Sequence, residues 1–333
     1  MKRWYLVGIA VAGTAVSLLG LRATARPPRR AAVTAAPASA PAPRSHVAPL
    51  VLPPSPRVVV FTPHPDDETL AAGGLISRLA GAGVPVHVVF ITNGDGYPMA
   101  VKADFDLASP TRADYVELGE LREREALAAL GRLGLGRRHV SFLGFPDGGL
   151  GHLWHAHWSP SHPYTSPYTR EDSPPYRDTV NPDVGYDGQD LTGVIERLLR
   201  DLRPSVVLMP HPHDTHRDHA STSYFVTEAV SALQARGVLS PDLTVLTYLV
   251  HYPSWPTTRG PDFDRFLARE DVPDTTWLET ELSPDELAAK RAALGEYRSQ
   301  LEVMNGFLRS FLCRNELLGK LDARLLARIA AIH

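Results

Sequence analysis

Apolar residues along this chain alternate between short β-branched runs and longer stretches with helical spacing. Val58 to Phe61 is a four-residue run bounded by Pro56 and Pro63, which predicts a buried strand. Val84 to Thr92 predicts a second strand, closed by the turn signal Asn93-Gly94-Asp95-Gly96. Between them, Glu68 to Ala82 predicts a helix. A long helix follows over Ala113 to Leu133, with Leu127, Leu130 and Leu133 on one side. His139 to Phe145, Ser205 to Met209 and Leu243 to Val250 predict three further strands. Asp190 to Leu202 is amphipathic, with Leu191, Ile195, Leu198, Leu199 and Leu202 sharing a face. Ser283-Pro284-Asp285-Glu286 is a capping box with proline at the first helical position, so a helix is expected from there to about Leu301. Strands alternating with helices imply βαβ units and an α/β fold with a doubly wound, mainly parallel sheet.

Two regions depart from the alternation. Lys2-Arg3 precedes an uncharged run from Trp4 to Leu21, and Ala23-Thr24-Ala25 offers a small-residue cleavage site. Residues 1–25 therefore read as a signal peptide or membrane anchor. The chain is expected to be exported, either secreted or anchored at the outer face of the cytoplasmic membrane. Arg22, Arg26, Arg29 and Arg30 weaken the charge bias that sets orientation, which keeps the uncleaved anchor open. Residues 26–56 are mostly Ala, Pro, Arg and Ser and read as a semi-extended linker to a domain over 57–333. Inside that domain, residues 148–189 carry Trp154, Trp158, Tyr164, Tyr168, Tyr176 and Tyr186 among many Pro, Ser and His. A segment so long and so aromatic is expected to be a lid or substrate-loop insertion.

Charge narrows the partners. Residues 1–50 hold seven Lys or Arg and no acid, which leaves 27 basic and 37 acidic residues in the remainder. A body this acidic argues against a nucleic-acid partner. The single cysteine, Cys313, allows neither an intramolecular disulfide nor a cysteine-based zinc cluster.

Two clusters bear chemistry. Pro63-His64-Pro65-Asp66-Asp67-Glu68 follows the first strand with only Thr62 between. Pro210-His211-Pro212-His213-Asp214-Thr215-His216-Arg217-Asp218-His219 follows the strand that ends at Met209, with four histidines in nine residues. Strand carboxyl ends are where open α/β sheets build sites. A catalytic zinc takes three protein ligands and an open position. His64 and Asp67, with one histidine of the second cluster, would make such a set. Each cluster also has a plainer reading, as helix N-terminal acids or as a surface histidine tract.

Pro-His-Pro-Asp-Asp-Glu resembles the Ala-His-Pro-Asp-Asp-Glu motif of the PIG-L (LmbE-like) zinc deacetylases. His216-Arg217-Asp218-His219 resembles that family's His-Pro-Asp-His motif, with Arg217 in place of the usual proline. Thr92 to Gly96, Arg122 to Glu125 and Phe142 to Asp147 match intermediate segments, so the likeness spans about residues 57–255. The resemblance implies a Rossmann-like α/β domain with helices on both faces, a Zn2+ cofactor, and hydrolysis of N-acetyl groups from amino sugars and related amides. By motif position it makes His64, Asp67 and His219 the zinc ligands and Asp66 the general base. His216, in its protonated form, would stabilise the oxyanion, and Asp218 would orient it. Arg122, Asp95, Asp147 and His251 fall at substrate or pocket positions, Arg122 either contacting substrate or holding Asp66. For Arg122 the competing expectation is an ion pair with Glu125; for Asp147 and Asp95 it is turn chemistry. The tyrosine that some members place just before the second motif is absent, with Asp214 and Thr215 there instead.

These readings predict a zinc-dependent N-deacetylase whose partner is an N-acetylated sugar or glycoconjugate. A zinc amidase for a non-sugar amide and a non-catalytic metal- or glycan-binding module are the alternatives. The base Asp66 speaks against the second. A dinucleotide-binding oxidoreductase is disfavoured because no Gly-x-Gly-x-x-Gly follows the first strand.

Overall fold

The computed structural model describes residues 47–253, 255–256 and 260–329. The predicted signal peptide or anchor over 1–25, and the start of the linker, lie outside them.

Strand β2 (Val58–Thr62) is buried along its whole length. Side chains of a strand point alternately to its two faces, and here each face has its own apolar core. Val58 and Val60 pack with Leu75, Ile76 and Leu79 of helix α1 (Asp67–Gly81) and with Ala126 and Leu130 of α3 (Arg112–Arg132). Val59 and Phe61 pack with Leu191, Ile195 and Leu199 of α5 (Gly188–Leu202) and with Phe225 and Val226 of α6 (Arg217–Ala235). Continuous apolar strands with helices on both faces are what a buried parallel sheet requires.

β2 pairs in parallel with β3 (Val86–Thr92) on one side and with β5 (Val206–Pro210) on the other. β4 (Val140–Phe145) extends the sheet beyond β3, and β6 (Thr244–Tyr248) extends it beyond β5. The chain thus winds outward in both directions from the β2–β5 pair. That reversal is the topological switch point, where a crevice opens at the strands' carboxyl ends. Beyond β6 the sheet continues with β8 (Asn315–Leu321) and β7 (Thr275–Glu281), both antiparallel additions, and ends in β1 (Ala48–Pro49). The fold is α/β, Rossmann-like and mainly parallel. Helix α9 (Ala323–Ile329) follows β8.

Three expectations change. The linker predicted over 26–56 gives way to sheet by Ala48, which pairs with Leu278; the Leu50 N–H also donates to the Glu279 carbonyl at 2.7 Å. The single helix predicted to about Leu301 breaks into α7 (Pro284–Leu294) and α8 (Arg298–Leu308). The break seats the Tyr297 hydroxyl on Glu68 Oε1 at 2.5 Å and the Ser299 hydroxyl on Glu125 Oε2 at 2.6 Å. A straight helix would have to forgo these buried hydrogen bonds. The insertion over 148–189 is not a loose cover. It contains helix α4 (Leu150–His155), buries Trp154, Tyr176 and Tyr186, and joins β4 through Tyr186 Oη on the Gly144 carbonyl at 2.9 Å. Gly148 and Tyr168 are the residues of it that line the site's cavity.

α1 is kinked at Ala72 (φ −145°, ψ 18°). The kink is met by side chains from the C-terminal elements. Glu316 accepts from the N–H groups of Gly74 and Leu75, both at 2.8 Å, and from Lys290 Nζ at 2.8 Å. Lys290 Nζ donates in addition to the Leu70 carbonyl at 2.9 Å. Glu316 and Lys290 are each 1% exposed, so neither charge has water as a substitute partner. Glu316→Ala would leave two buried amides and an ammonium without their acceptor. It is expected to lower stability by about 3–5 kcal/mol, read as a lower urea midpoint with an unchanged m-value. An unshifted midpoint would refute the role given to this pair.

Candidate metal centre

The loop after β2 turns sharply at Asp66, whose φ is 134°. A non-glycine residue so far from the ordinary regions costs about 1–3 kcal/mol and persists only where neighbours hold it. Here the Asp66 N–H donates to Glu68 Oε2 at 3.2 Å, and the Asp66 carbonyl accepts from the Thr69 and Leu70 N–H groups at 3.0 and 2.9 Å. Arg122, buried at 3% exposure, reaches across from α3. It donates to the Gly94 carbonyl at 2.8 Å, the Pro65 carbonyl at 2.7 Å and Asp66 Oδ2 at 3.4 Å. Gly94 has φ +65°, and a Cβ there would collide with the guanidinium, so the glycine makes room for this clamp. The turn sends Asp66 and Asp67 in different directions, one toward arginine and one toward histidines.

Asp67 Oδ2 lies 3.1 Å from His64 Nδ1 and 3.2 Å from His219 Nε2. His64 belongs to the β2 loop, and His219 to the first turn of α6 after β5, so the switch point brings both clusters together. His219 is fully buried, yet neither ring nitrogen makes a hydrogen bond among the described residues; the carboxylates are close but misaligned. Orphaned nitrogens at 0% exposure facing a carboxylate shared with a second imidazole are what a site for a cation looks like. Further combinations of His64, Asp67, Asp147, His216, Asp218, His219 and His251 bring ligand atoms within 4.8 Å of one another. The residues present fit a metal: two imidazoles and one carboxylate are a catalytic-zinc donor set.

The outer residues hold the inner ones. Asp214 was not expected in the site. Its Oδ2 lies 3.2 Å from His219 Nδ1 and accepts from the Val250 and His251 N–H groups at 3.0 Å each, while Oδ1 accepts from His216 N–H at 2.9 Å. A carboxylate behind a metal-binding histidine fixes the ring and raises its basicity. Asp214 stands between two histidines of the second cluster, and that position is the signal that could have found it.

Several expected roles are revised. Asp218 does not orient His216 with its carboxylate. That carboxylate accepts from the Gly148 and Leu150 N–H groups at 2.6 and 3.1 Å and lies 3.4 Å from His64 Nε2. The Asp218 backbone N–H instead donates to His216 Nδ1 at 3.3 Å, which leaves the ring proton of neutral His216 on Nε2. Burial and the neighbouring His64 and His219 push His216 down to about 4, toward the neutral form. Asp95 is buried, and its carboxylate accepts from the Tyr176 hydroxyl of the insertion. Arg122 clamps Asp66, and the Glu125 partner expected for it is taken by Ser299. Asp147 and His251 do line the cavity. Asp147 Oδ1 is engaged 3.1 Å from His64 Nε2, and its Oδ2 accepts from Gly96 N–H at 2.8 Å.

Charge is uneven across the pair of aspartates. Burial raises the Asp67 carboxyl, but His219 and His64 outweigh it and hold Asp67 well below the usual range. Asp66 goes the other way: burial and adjacent Asp67 push it up to about 8, against the pull of Arg122 and His64.

The family model described as PIG-L: GlcNAc-PI de-N-acetylase matches residues 59–230. A 1D-myo-inositol 2-acetamido-2-deoxy-alpha-D-glucopyranoside deacetylase of Mycobacterium sp. (strain KMS) is 33% identical over 181 residues, 54% of this chain and 51% of the relative. The enzyme of the same name from Nocardia farcinica (strain IFM 10152) is 35% identical over 176 residues, 52% of this chain and 51% of the relative. The chain thus spans about half the length of these relatives. Among solved structures, the antimicrobial reagent A40926 pseudoaglycone deacetylase superposes with a TM-score of 0.49 at 18% identity, over 80% of this chain and 98% of that one. The N,N'-diacetylchitobiose deacetylase from Pyrococcus horikoshii superposes with a TM-score of 0.46 at 19% identity, over 76% of each chain.

Without a cation the two histidines take up protons. Burial opposes this, but Asp214 and Asp67 push His219 up to about 10, and Asp147 with its neighbours holds His64 well above 6.5. A divalent ion must displace those protons, so its apparent affinity should rise with pH, by up to about tenfold per unit for each proton displaced. The rise is expected from about pH 6 toward 10. Calorimetric titration of zinc into the metal-free chain, in buffers of different ionisation enthalpy, measures the released protons. Affinity independent of pH would rule this assignment out.

Proposed function

The chain belongs to the PIG-L, GlcNAc-PI de-N-acetylase, family, and from that premise we propose that it is a zinc-dependent N-deacetylase acting on an amino sugar or glycoconjugate. One observation carries the reading: a carboxylate shared by two imidazoles sits beside a second carboxylate, Asp66, that is clamped by arginine and left free of both imidazoles. A binding module has no use for that second, strained carboxylate. The names of the relatives, deacetylases of an acetamido-sugar glycoside, support the substrate class.

His64, Asp67 and His219 would hold the zinc. When bound, it would lower the pKa of water toward about 7 and polarise an amide carbonyl. Asp66, held by Arg122, takes a proton from the attacking water. The proton it gains is then available to the departing nitrogen. His216 lines the same cavity and, as a neutral imidazole with its proton on Nε2, is a hydrogen-bond donor for the oxyanion. Water is consumed, the C–N bond breaks, and acetate and a free amine are released. Asp147 and Asp218 keep His64 oriented from behind.

Export belongs to the same proposal. The basic Lys2-Arg3 and the uncharged run to Leu21 support it, and envelope or secreted glycosides would then be the accessible substrates.

Asp66→Asn keeps the shape of the turn and removes the base. It is expected to retain stoichiometric zinc while acetate release from N-acetylglucosamine glycosides falls by about 10²–10⁴-fold. Wild-type rates in that variant would exclude Asp66 as the base. Absence of acetate release from every N-acetylated sugar and simple amide by the zinc-loaded wild type would overturn the deacetylase reading itself.

A further inference from the structure

The cavity above the metal centre encloses about 360 Å³, and its two sides differ in kind. The floor is the ionic cluster already described. Leu70, Met304, Phe307 and Leu308 give the rest of the lining an apolar patch, with Tyr97, Tyr168 and Gln300 beside it. Met304, Phe307 and Leu308 lie on α8, well past the family-matched residues 59–230. Leu70, one turn along α1 from the aspartates, shares an apolar cluster with these three. The Phe307 ring stacks on His251 at 5.2 Å with 15° between planes, and packs edge-on against Phe311 at 5.5 Å. The apolar patch is thereby fixed to a histidine of the floor.

Leu70, Met304, Phe307 and Leu308 offer a sugar hydroxyl nothing in exchange for water, so a polyhydroxylated group placed against these four would lose hydrogen bonds. An aliphatic or aromatic group would gain by leaving water. We propose that the substrate carries, next to the scissile amide, an apolar group larger than the acetyl methyl, and that Leu70, Met304, Phe307 and Leu308 hold it. The inference rests on the deacylase reading and adds to it the substrate's second half. Two parts of a glycoconjugate have the required chemistry: a longer N-acyl chain, or an alkyl or aryl aglycone.

The test is kcat/KM of the zinc-loaded full chain along two series. One keeps glucosamine and lengthens the acyl group from acetyl through butyryl to hexanoyl. The other keeps N-acetylglucosamine and lengthens an alkyl glycoside from methyl to hexyl. A rise of about two- to fourfold per methylene in one series is expected, and the series that rises identifies the source. The slope, not the absolute rate, should flatten in Phe307→Ala and in the milder Met304→Ser. Slopes flat or falling in both series, with the shortest substrate still hydrolysed, would overturn the inference and leave the deacetylase reading intact. A rise that both variants leave unchanged would overturn the α8 assignment. No hydrolysis of any member would overturn the deacetylase reading, and this inference with it.

Discussion

Asp67 puts one carboxylate oxygen within 3.2 Å of two imidazoles that come from different strand ends, in a place with almost no access to water. Buried charges this close are costly unless they are paired, oriented and hydrogen-bonded. Much of the surrounding structure answers that demand. β2 and β5 must be neighbours for His64 and His219 to meet, and the sheet order supplies this at its switch point. Asp214 stands behind His219, and Asp147 and Asp218 behind His64, so each imidazole is held from the side away from Asp67.

Separating the two aspartates is the second requirement. Asp66 stands just before the first turn of α1 with a positive φ, and Arg122 keeps the turn closed by binding the Pro65 carbonyl as well as the Asp66 carboxylate. One side chain thus fixes both the backbone and the charge of the proposed base. Gly94 is part of the same device, since its missing Cβ lets the guanidinium approach. Arginine suits the task because its planar fork can donate to several acceptors at once.

How much of this was legible in the residues follows from the kind of interaction. The β-branched runs and the helical leucine spacing placed β2 to β6, α1, α3 and α5 to within a few residues, because burial on one or two faces writes a period into the chain. Two ligand-rich strand ends pointed to a shared site, and the resemblance, not the spacing, singled out His219 and divided Asp66 from Asp67. Asp218 was misjudged, because a carboxylate's direction is set by tertiary partners such as the Gly148 N–H that no local pattern encodes. The antiparallel pair β7 and β8 was missed for a similar reason. Thr275-Thr276-Trp277-Leu278-Glu279-Thr280-Glu281 mixes charged and apolar positions, and its strand character comes from pairing with β8. The break between α7 and α8 needed knowledge of where Glu68 and Glu125 end up.

That C-terminal region gives the site its individuality. The family-matched residues end at 230, but the helix that carries Asp66 and Asp67 is fastened from beyond that point. Tyr297 binds Glu68, Glu316 and Lys290 close the kink at Ala72, and Leu282 packs against Gly74 closely enough that a Cβ there would collide with it. The same region then bends α8 over the cavity, where Met304 and Phe307 form its wall. A single segment therefore stiffens the catalytic turn from below and shapes the space above it. Under the proposed function, changes at Met304 and Phe307 act on the apolar lining without touching the residues proposed to hold the metal, whereas the buried Glu316 and Tyr297 contacts tie the same region to α1, which begins at Asp67.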